Sequence, residues 1–234
     1  MTRVAIMQPY FFPYLGYFQL LAAVDIFVIY DNIEYSKKGW INRNRILVNG
    51  RDEMFTLPLK KDSDYLNVDH RYLSDEFDKE REKLIRRVHG AYKKAPYFNE
   101  VFQLFQEVMK IPERNLFAFL FEALQQVRNY LEIQTQMIVS STLNVDHTLK
   151  GENRVLAIAS KLNADVYINA IGGRELYAYE RFLQSKIHLK FIQMDQIHYP
   201  QFNNLFVPNL SILDVLMFNS KEQVRSYLSK YTLI

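Results

Sequence analysis

Short apolar runs separated by helical patterns at both ends of the chain set the first expectation. Residues 4–7 (VAIM) and 26–30 (IFVIY) have the length and composition of buried strands. Between them stand a Pro-rich aromatic turn and a helix start near Leu15, so the order is strand, loop, helix, strand. A crossover of that length is a βαβ unit, and its first loop falls at the carboxyl edge of the sheet, where open α/β folds bind ligands. The alternation resumes at QMIVSSTL and runs through GENRVLAIASKLN, ADVYINA, GGRELYAYERFLQSK and IHLKFIQM. Strands are expected near residues 3–7, 26–30, 136–140, 165–169 and 188–193, in an α/β fold with a mostly parallel, doubly wound sheet and helices on both faces.

Three stretches depart from this rhythm. Asn49-Gly50, between INRNRILV and EMFTLPL, predicts a tight hairpin, because Asn-Gly supplies the two positive φ values such a turn needs. Residues 74–132 carry three amphipathic helical patterns: one opening at the N-cap candidate Ser74, one over NEVFQLFQEVMKI, and one with Pro112 in its first turn. This predicts an all-helical insertion over 74–132 that covers the crevice from one side, with the α/β domain formed by residues 1–73 and 133–234. Its Phe-rich faces read as core. The tail reads as a loop and two short helices, the first capped by Asn209 or Ser211. Asp214 is either a partner in that cap or a carboxylate buried between Leu213 and Val215.

Composition narrows the class. The 234 residues are 49% hydrophobic and 15% aromatic, enough to bury a sizeable core. No apolar run approaches the roughly 20 residues of a bilayer span. Met1-Thr2-Arg3 leads straight into a strand, without the pattern of a signal peptide. The absence of cysteine excludes disulfides and thiolate chemistry and fits a cytoplasmic protein. A net charge of +3, with the two signs interleaved, predicts no nucleic-acid stripe.

Candidate chemistry concentrates in the first 45 residues. The loop after the first strand carries Gln8, Tyr10, Tyr14, Gly16 and Tyr17, too much aromatic surface to be left facing water. Further on, alternation places Trp40, Asn42 and Asn44 on one face of a strand and Arg43 and Arg45 on the other. That strand is either a solvated edge or a polar rim that meets an anionic or hydroxyl-rich ligand. Gly172 and Gly173, after a strand and before a helix, allow backbone to approach a phosphate, or simply make a tight turn. The five histidines are scattered one to a segment, with no metal-ligand or Ser-His-Asp spacing; His147, after a strand end, is the one placed for chemistry.

The string AIMQPYFFPYLGYFQLLAAVDIFVIYDNIEYSKKGWINRNRI resembles the start of the WbqC-like protein family, and GGRELY and VPNLSILDVLMFNS resemble its middle and closing blocks. The resemblance covers essentially the whole chain and brings Tyr177, Asn209 and Ser211 into the candidate site. Met7 departs from the His that many members carry before Gln-Pro. The family is associated with bacterial O-antigen and other surface-polysaccharide clusters. The resemblance implies a transferase that attaches an amino acid such as glycine, or another acyl group, to the amine of an amino sugar. By architecture the opening is also similar to nucleotidylyltransferase-like enzymes, whose His-x-Gly-His loop grips ATP phosphates. Tyr14, Leu15, Gly16 and Tyr17 stand there instead, without an imidazole.

Amide formation on a sugar amine needs an acyl donor, a base and oxyanion donors. Asp31, Glu34, Asp214 and His147 are the candidate bases. Tyr10, Tyr17, Tyr35, Asn42 and Asn44 are candidate donors, and Lys37, Arg43 and Arg45 are placed for phosphates. The expected partner is a nucleotide-linked amino sugar, with ATP or an acyl donor as the open cofactor and no metal. A non-catalytic sugar-nucleotide or glycan binder, and a glycosyl- or nucleotidyltransferase, are the competing classes.

Overall fold

The chain runs β1 (Arg3–Met7), α1 (Leu15–Ala22), β2 (Ile26–Ile29), β3 (Arg43–Val48), β4 (Arg51–Thr56), α2 (Phe77–Tyr92), α3 (Phe98–Met109), α4 (Leu116–Tyr130), β5 (Gln136–Val139), α5 (Gly151–Lys161), β6 (Val166–Ala170), α6 (Tyr179–Gln184), β7 (His188–Met194), α7 (Ile212–Phe218), α8 (Lys221–Tyr227) and β8 (Tyr231–Leu233). These elements come from a computed structural model that describes residues 1–63 and 65–234. Six strands form one sheet in the order β5-β2-β1-β6-β7-β8. Every pairing in it is parallel except β7 with β8. From β1 the chain first winds outward through β2 to β5, then returns to the other side of β1 for β6 and β7. The gap between the carboxyl ends of β1 and β6 is therefore the switch point of a doubly wound sheet, where loops diverge to opposite faces and leave a crevice.

Alternation along the strands sends side chains to two cores. Val4, Ile6, Val28, Tyr167 and Leu189 pack with Val155 and Ile158 of α5 and Phe182 of α6. Ala5, Phe27, Ile29, Ile168 and Ile192 face the other way, into a larger core shared with α1, α7, α8 and the helices α2 to α4. The β3–β4 hairpin forms a separate two-stranded sheet over this second core. Its turn has the predicted chemistry, with φ of +51° at Asn49 and +77° at Gly50.

Among the described residues α2, α3 and α4 follow one another without an intervening strand. Two local expectations are corrected. Pro112 lies ahead of the third helix, whose start is fixed by Asn115, its Oδ1 accepting from the Ala118 amide at 3.1 Å. The tail ends in a strand as well as two helices, because residues 231–233 add to the edge of β7. No helix among the described residues is long and apolar enough to cross a membrane.

Candidate functional site

The switch point opens into a cleft of about 1330 Å³. Its walls come from the segments that follow β1, β2 and β6 and from the start of α5. Of the residues singled out in the sequence, Gln8, Tyr10, Tyr14, Glu34, Trp40, Asn44, Arg45, His147, Gly172, Gly173, Tyr177 and Asn209 line it. One sheet edge thus gathers residues from both ends of the chain.

The aromatic loop divides its side chains between core and cleft. Phe11 and Phe12 turn inward against Phe55, Phe105 and Phe119, while Tyr10 and Tyr14 face the cleft. Phe12 sits at φ +42°, a strained backbone for a bulky side chain that persists only where the surroundings fix it. Those surroundings are polar clamps. Asn44 Nδ2 donates to the Phe11 and Phe12 carbonyls at 3.2 and 2.8 Å, and Ser211 Oγ donates to the Phe12 carbonyl at 2.8 Å. The Ile212 amide donates to the Pro13 carbonyl at 2.9 Å, the Phe11 amide to Ile41 at 3.0 Å, and the Tyr17 hydroxyl to the Gln8 carbonyl at 3.0 Å. Ser211 and Tyr17 therefore act on the loop from behind and do not line the cleft.

Several other candidates are also placed outside the cleft, most of them with a structural task. Asn42 accepts from the Tyr35 hydroxyl and donates to the Leu57 carbonyl, both at 2.8 Å in the interior. Arg43 closes its own turn, donating to the Gly39 and Lys38 carbonyls. Lys37 borders a smaller surface hollow with Ser36 and Lys38. Asp31 is 4% exposed, and its Oδ1 accepts from the Ser141 amide at 2.9 Å. Asp214 is fully enclosed and accepts from Tyr92, Tyr199 and Gln201 at 2.7–2.8 Å. Burial raises the Asp214 pKa against the pull of these three donors. Among the described residues neither carboxylate hydrogen-bonds to residues 8–17 through its side chain. The need for glycine at 16 also has a packing origin: a Cβ there would lie 2.5 Å from both Met194 Sδ and the Tyr14 ring. None of the residues lining the cleft comes from α2, α3 or α4, so these helices buttress the aromatic loop from the core side and are not a lid.

Sequence reasoning missed the back of the cleft. Arg154, on the first turns of α5, is only 9% exposed and lines it. Its guanidinium lies 5.1 Å from the Tyr30 ring centroid. It donates to the Asn32 carbonyl at 3.0 Å and contacts Asn32 Oδ1, Ser140 Oγ and His147 Nδ1. His147 Nδ1 faces two donors, Arg154 and the Asn32 amide at 3.1 Å, while its Nε2 lies 3.0 Å from the Leu143 carbonyl. That pattern fixes the neutral tautomer with the proton on Nε2 and gives His147 a bracing role. The signal for this cluster, an Arg three residues past a Gly that opens a helix, is too common to stand out in a sequence.

The cleft surface itself is mostly neutral. Burial pushes the Tyr10 and Tyr30 hydroxyls up to about 12, with Tyr14 adding to the first and Arg154 opposing the second. Burial also raises Tyr14. These hydroxyls stay protonated near neutral pH and can donate hydrogen bonds. Among the described residues two acidic residues line the cleft: Glu152, held by Arg181 and the Ala178 amide, and Glu34.

The fold and the cleft define a doubly wound α/β protein with an open crevice at its switch point. The chain matches the WbqC-like protein family over residues 8–226 and belongs to it. It is 27% identical, over 97% of its length and 98% of the relative's, to the uncharacterized protein Rv1507c of Mycobacterium tuberculosis (strain ATCC 25618 / H37Rv). No solved structure matches it.

Proposed function

We propose that the protein is a transferase that attaches glycine or another acyl group to the amine of a nucleotide-linked amino sugar, for bacterial surface polysaccharide. The observation that carries this reading is the cleft. At about 1330 Å³ it exceeds the usual 300–1,000 Å³ of small-ligand sites, so a free amino acid or monosaccharide would leave most of it empty. Flat faces at Tyr10, Tyr14 and Trp40 suit a sugar ring or a base, and the Gln8 and Asn169 side chains supply donors and acceptors for hydroxyls. In the reaction the sugar amine attacks the acyl carbon of an activated donor, the leaving group departs with its electron pair, and the amine loses a proton. Glu34 is the base this geometry favours, since its carboxylate lines the cleft, and the neutral Tyr10 and Tyr14 hydroxyls are the oxyanion donors.

One observation favours a second reading, a sugar-nucleotide binder without turnover: two of the carboxylates that the sequence offers as bases, Asp31 and Asp214, are committed elsewhere. The test is mass spectrometry of purified protein incubated with nucleotide-linked amino sugars, glycine, ATP and acyl donors. A product heavier by one glycyl or acyl group, lost in Glu34→Gln, supports the transferase. Binding of the sugar nucleotide without product from any donor supports the binder instead.

A further inference from the structure

The back wall of the cleft carries a positive charge that no carboxylate among the described residues neutralises. Arg154 is nine-tenths buried, yet its hydrogen-bond partners, Asn32, Ser140 and His147, are all neutral. Among the described residues no carboxylate pairs with it. The acidic residue closest in sequence, Glu152, is taken by Arg181 at 2.5 Å. Arg154 Nε has no hydrogen-bond partner among the described residues. Buried charges are ordinarily paired, because an isolated one keeps most of its desolvation cost. Here the missing counter-charge has a place to come from, since Arg154 borders the cleft.

Two further features converge on the same wall. Thr148, Leu149, Lys150, Gly151 and Glu152 all line the cleft, so α5 presents its N-terminus there. No side chain caps it at Lys150, and the first amides of a helix lack partners within it. Across the switch point stands Asn169, 6% exposed, whose Oδ1 accepts from the Ala170 amide at 2.9 Å and whose Nδ2 has no partner among the described residues. Gly173 is needed to admit that amide, because a Cβ at 173 would lie 2.5 Å from Asn169 Nδ2. A Cβ at Gly172 would meet nothing within 4 Å, leaving bare backbone exposed to the cleft.

We infer that the start of α5, Arg154, Asn169 and the bare backbone of Gly172 form a phosphate subsite. In the reading proposed above, on which this assignment rests, it holds the diphosphate of the nucleotide-linked sugar and leaves the Tyr10–Trp40 end for the sugar. Phosphoryl oxygens accept hydrogen bonds from the helix amides and the Asn169 amide while their charge balances Arg154. The buried guanidinium acts through its charge, with its orientation fixed by Asn32 and His147.

The test is calorimetric titration at low salt with pyrophosphate, UDP, acetate and free glucosamine. The wild type is expected to bind pyrophosphate and UDP, and to bind acetate at least tenfold more weakly. Arg154→Lys and Gly172→Ala should each weaken pyrophosphate about tenfold, and Lys150→Glu about fivefold. Gly172→Ala and the exposed Lys150→Glu should keep the wild-type melting temperature, which guards against a folding defect in the Arg154 variant. Failure to bind pyrophosphate or UDP, equal binding of acetate, or binding indifferent to Gly172→Ala and Lys150→Glu would overturn the subsite. Glucosamine binding without pyrophosphate binding would remove the subsite and leave a sugar site. Pyrophosphate binding with the expected variant losses but no transfer to any sugar nucleotide would keep the subsite and remove the transferase.

Discussion

Replacing Asn44 by Ala removes the side chain that ties the hairpin to the aromatic loop, and the structure sets the size of the effect. Asn44 is 5% exposed, and its amide makes three bonds: to the Phe11 carbonyl, to the Phe12 carbonyl, and from the Arg45 amide. The Phe12 carbonyl keeps its second donor, Ser211 Oγ, so the alanine variant orphans the Phe11 carbonyl and the Arg45 amide. Each buried group left unpaired costs about 1–3 kcal/mol. Part of that is returned as the strained Phe12 backbone relaxes, which offsets about 1–3 kcal/mol. The net loss is then about 1–3 kcal/mol, which lowers the melting temperature of a chain this long by roughly 2–12 °C. Asn44→Asp should fall further, since a carboxylate would face two carbonyl oxygens. Differential scanning calorimetry of both variants measures this directly. If Asn44→Ala melts within one degree of wild type, or Asn44→Asp is the more stable of the two, Asn44 does not clamp the loop.

Asp214, whose folded pKa is raised by burial, favours the folded state while protonated. Its contribution is fully present below the usual carboxylate pKa of 3.8 and is lost as pH rises through the raised value. Urea unfolding from pH 3 upward should show that loss in wild type and not in Asp214→Asn; parallel pH profiles would contradict it. Asp31→Asn keeps an acceptor for the Ser141 amide and should leave both stability and turnover within about twofold, whereas a hundredfold drop in turnover with an intact fold would make Asp31 the base. Gly16→Ala forces a methyl against Met194 and the Tyr14 ring and should cost about 1–3 kcal/mol by overpacking. An unchanged melting temperature would mean that Tyr14 and Met194 move aside freely.

The framework was legible because it rests on local periodicity. Five runs of apolar residues marked the parallel strands, and Asn49-Gly50 marked the hairpin, since both signals depend on neighbours in sequence. The alternation through Asn42, Asn44 and Ile46 was also readable, but its meaning was not. Asn44 looked like a ligand donor because its partners, the Phe11 and Phe12 carbonyls, lie more than thirty residues away and a backbone carbonyl leaves no mark in a sequence. Asp214 has the same difficulty, its partner Tyr92 being 122 residues distant. Arg154 was hidden for the opposite reason: on a helix rich in charge it reads as a solvated side chain, and only the fold buries it beside Tyr30. The last strand was missed because Tyr231–Leu233 is three residues long and gains its ladder only from β7.

The measurement that bears most directly on the cleft as the substrate site is NMR of ring-labelled tyrosine and tryptophan during titration with UDP-glucosamine. Tyr10, Tyr14, Tyr30 and Trp40 line the cleft, whereas Tyr92 and Tyr199 are enclosed around Asp214. Saturable shifts of the first four rings, with Tyr92 and Tyr199 unmoved, are the predicted result. No saturable shift, or shifts confined to rings outside the cleft, would contradict the account.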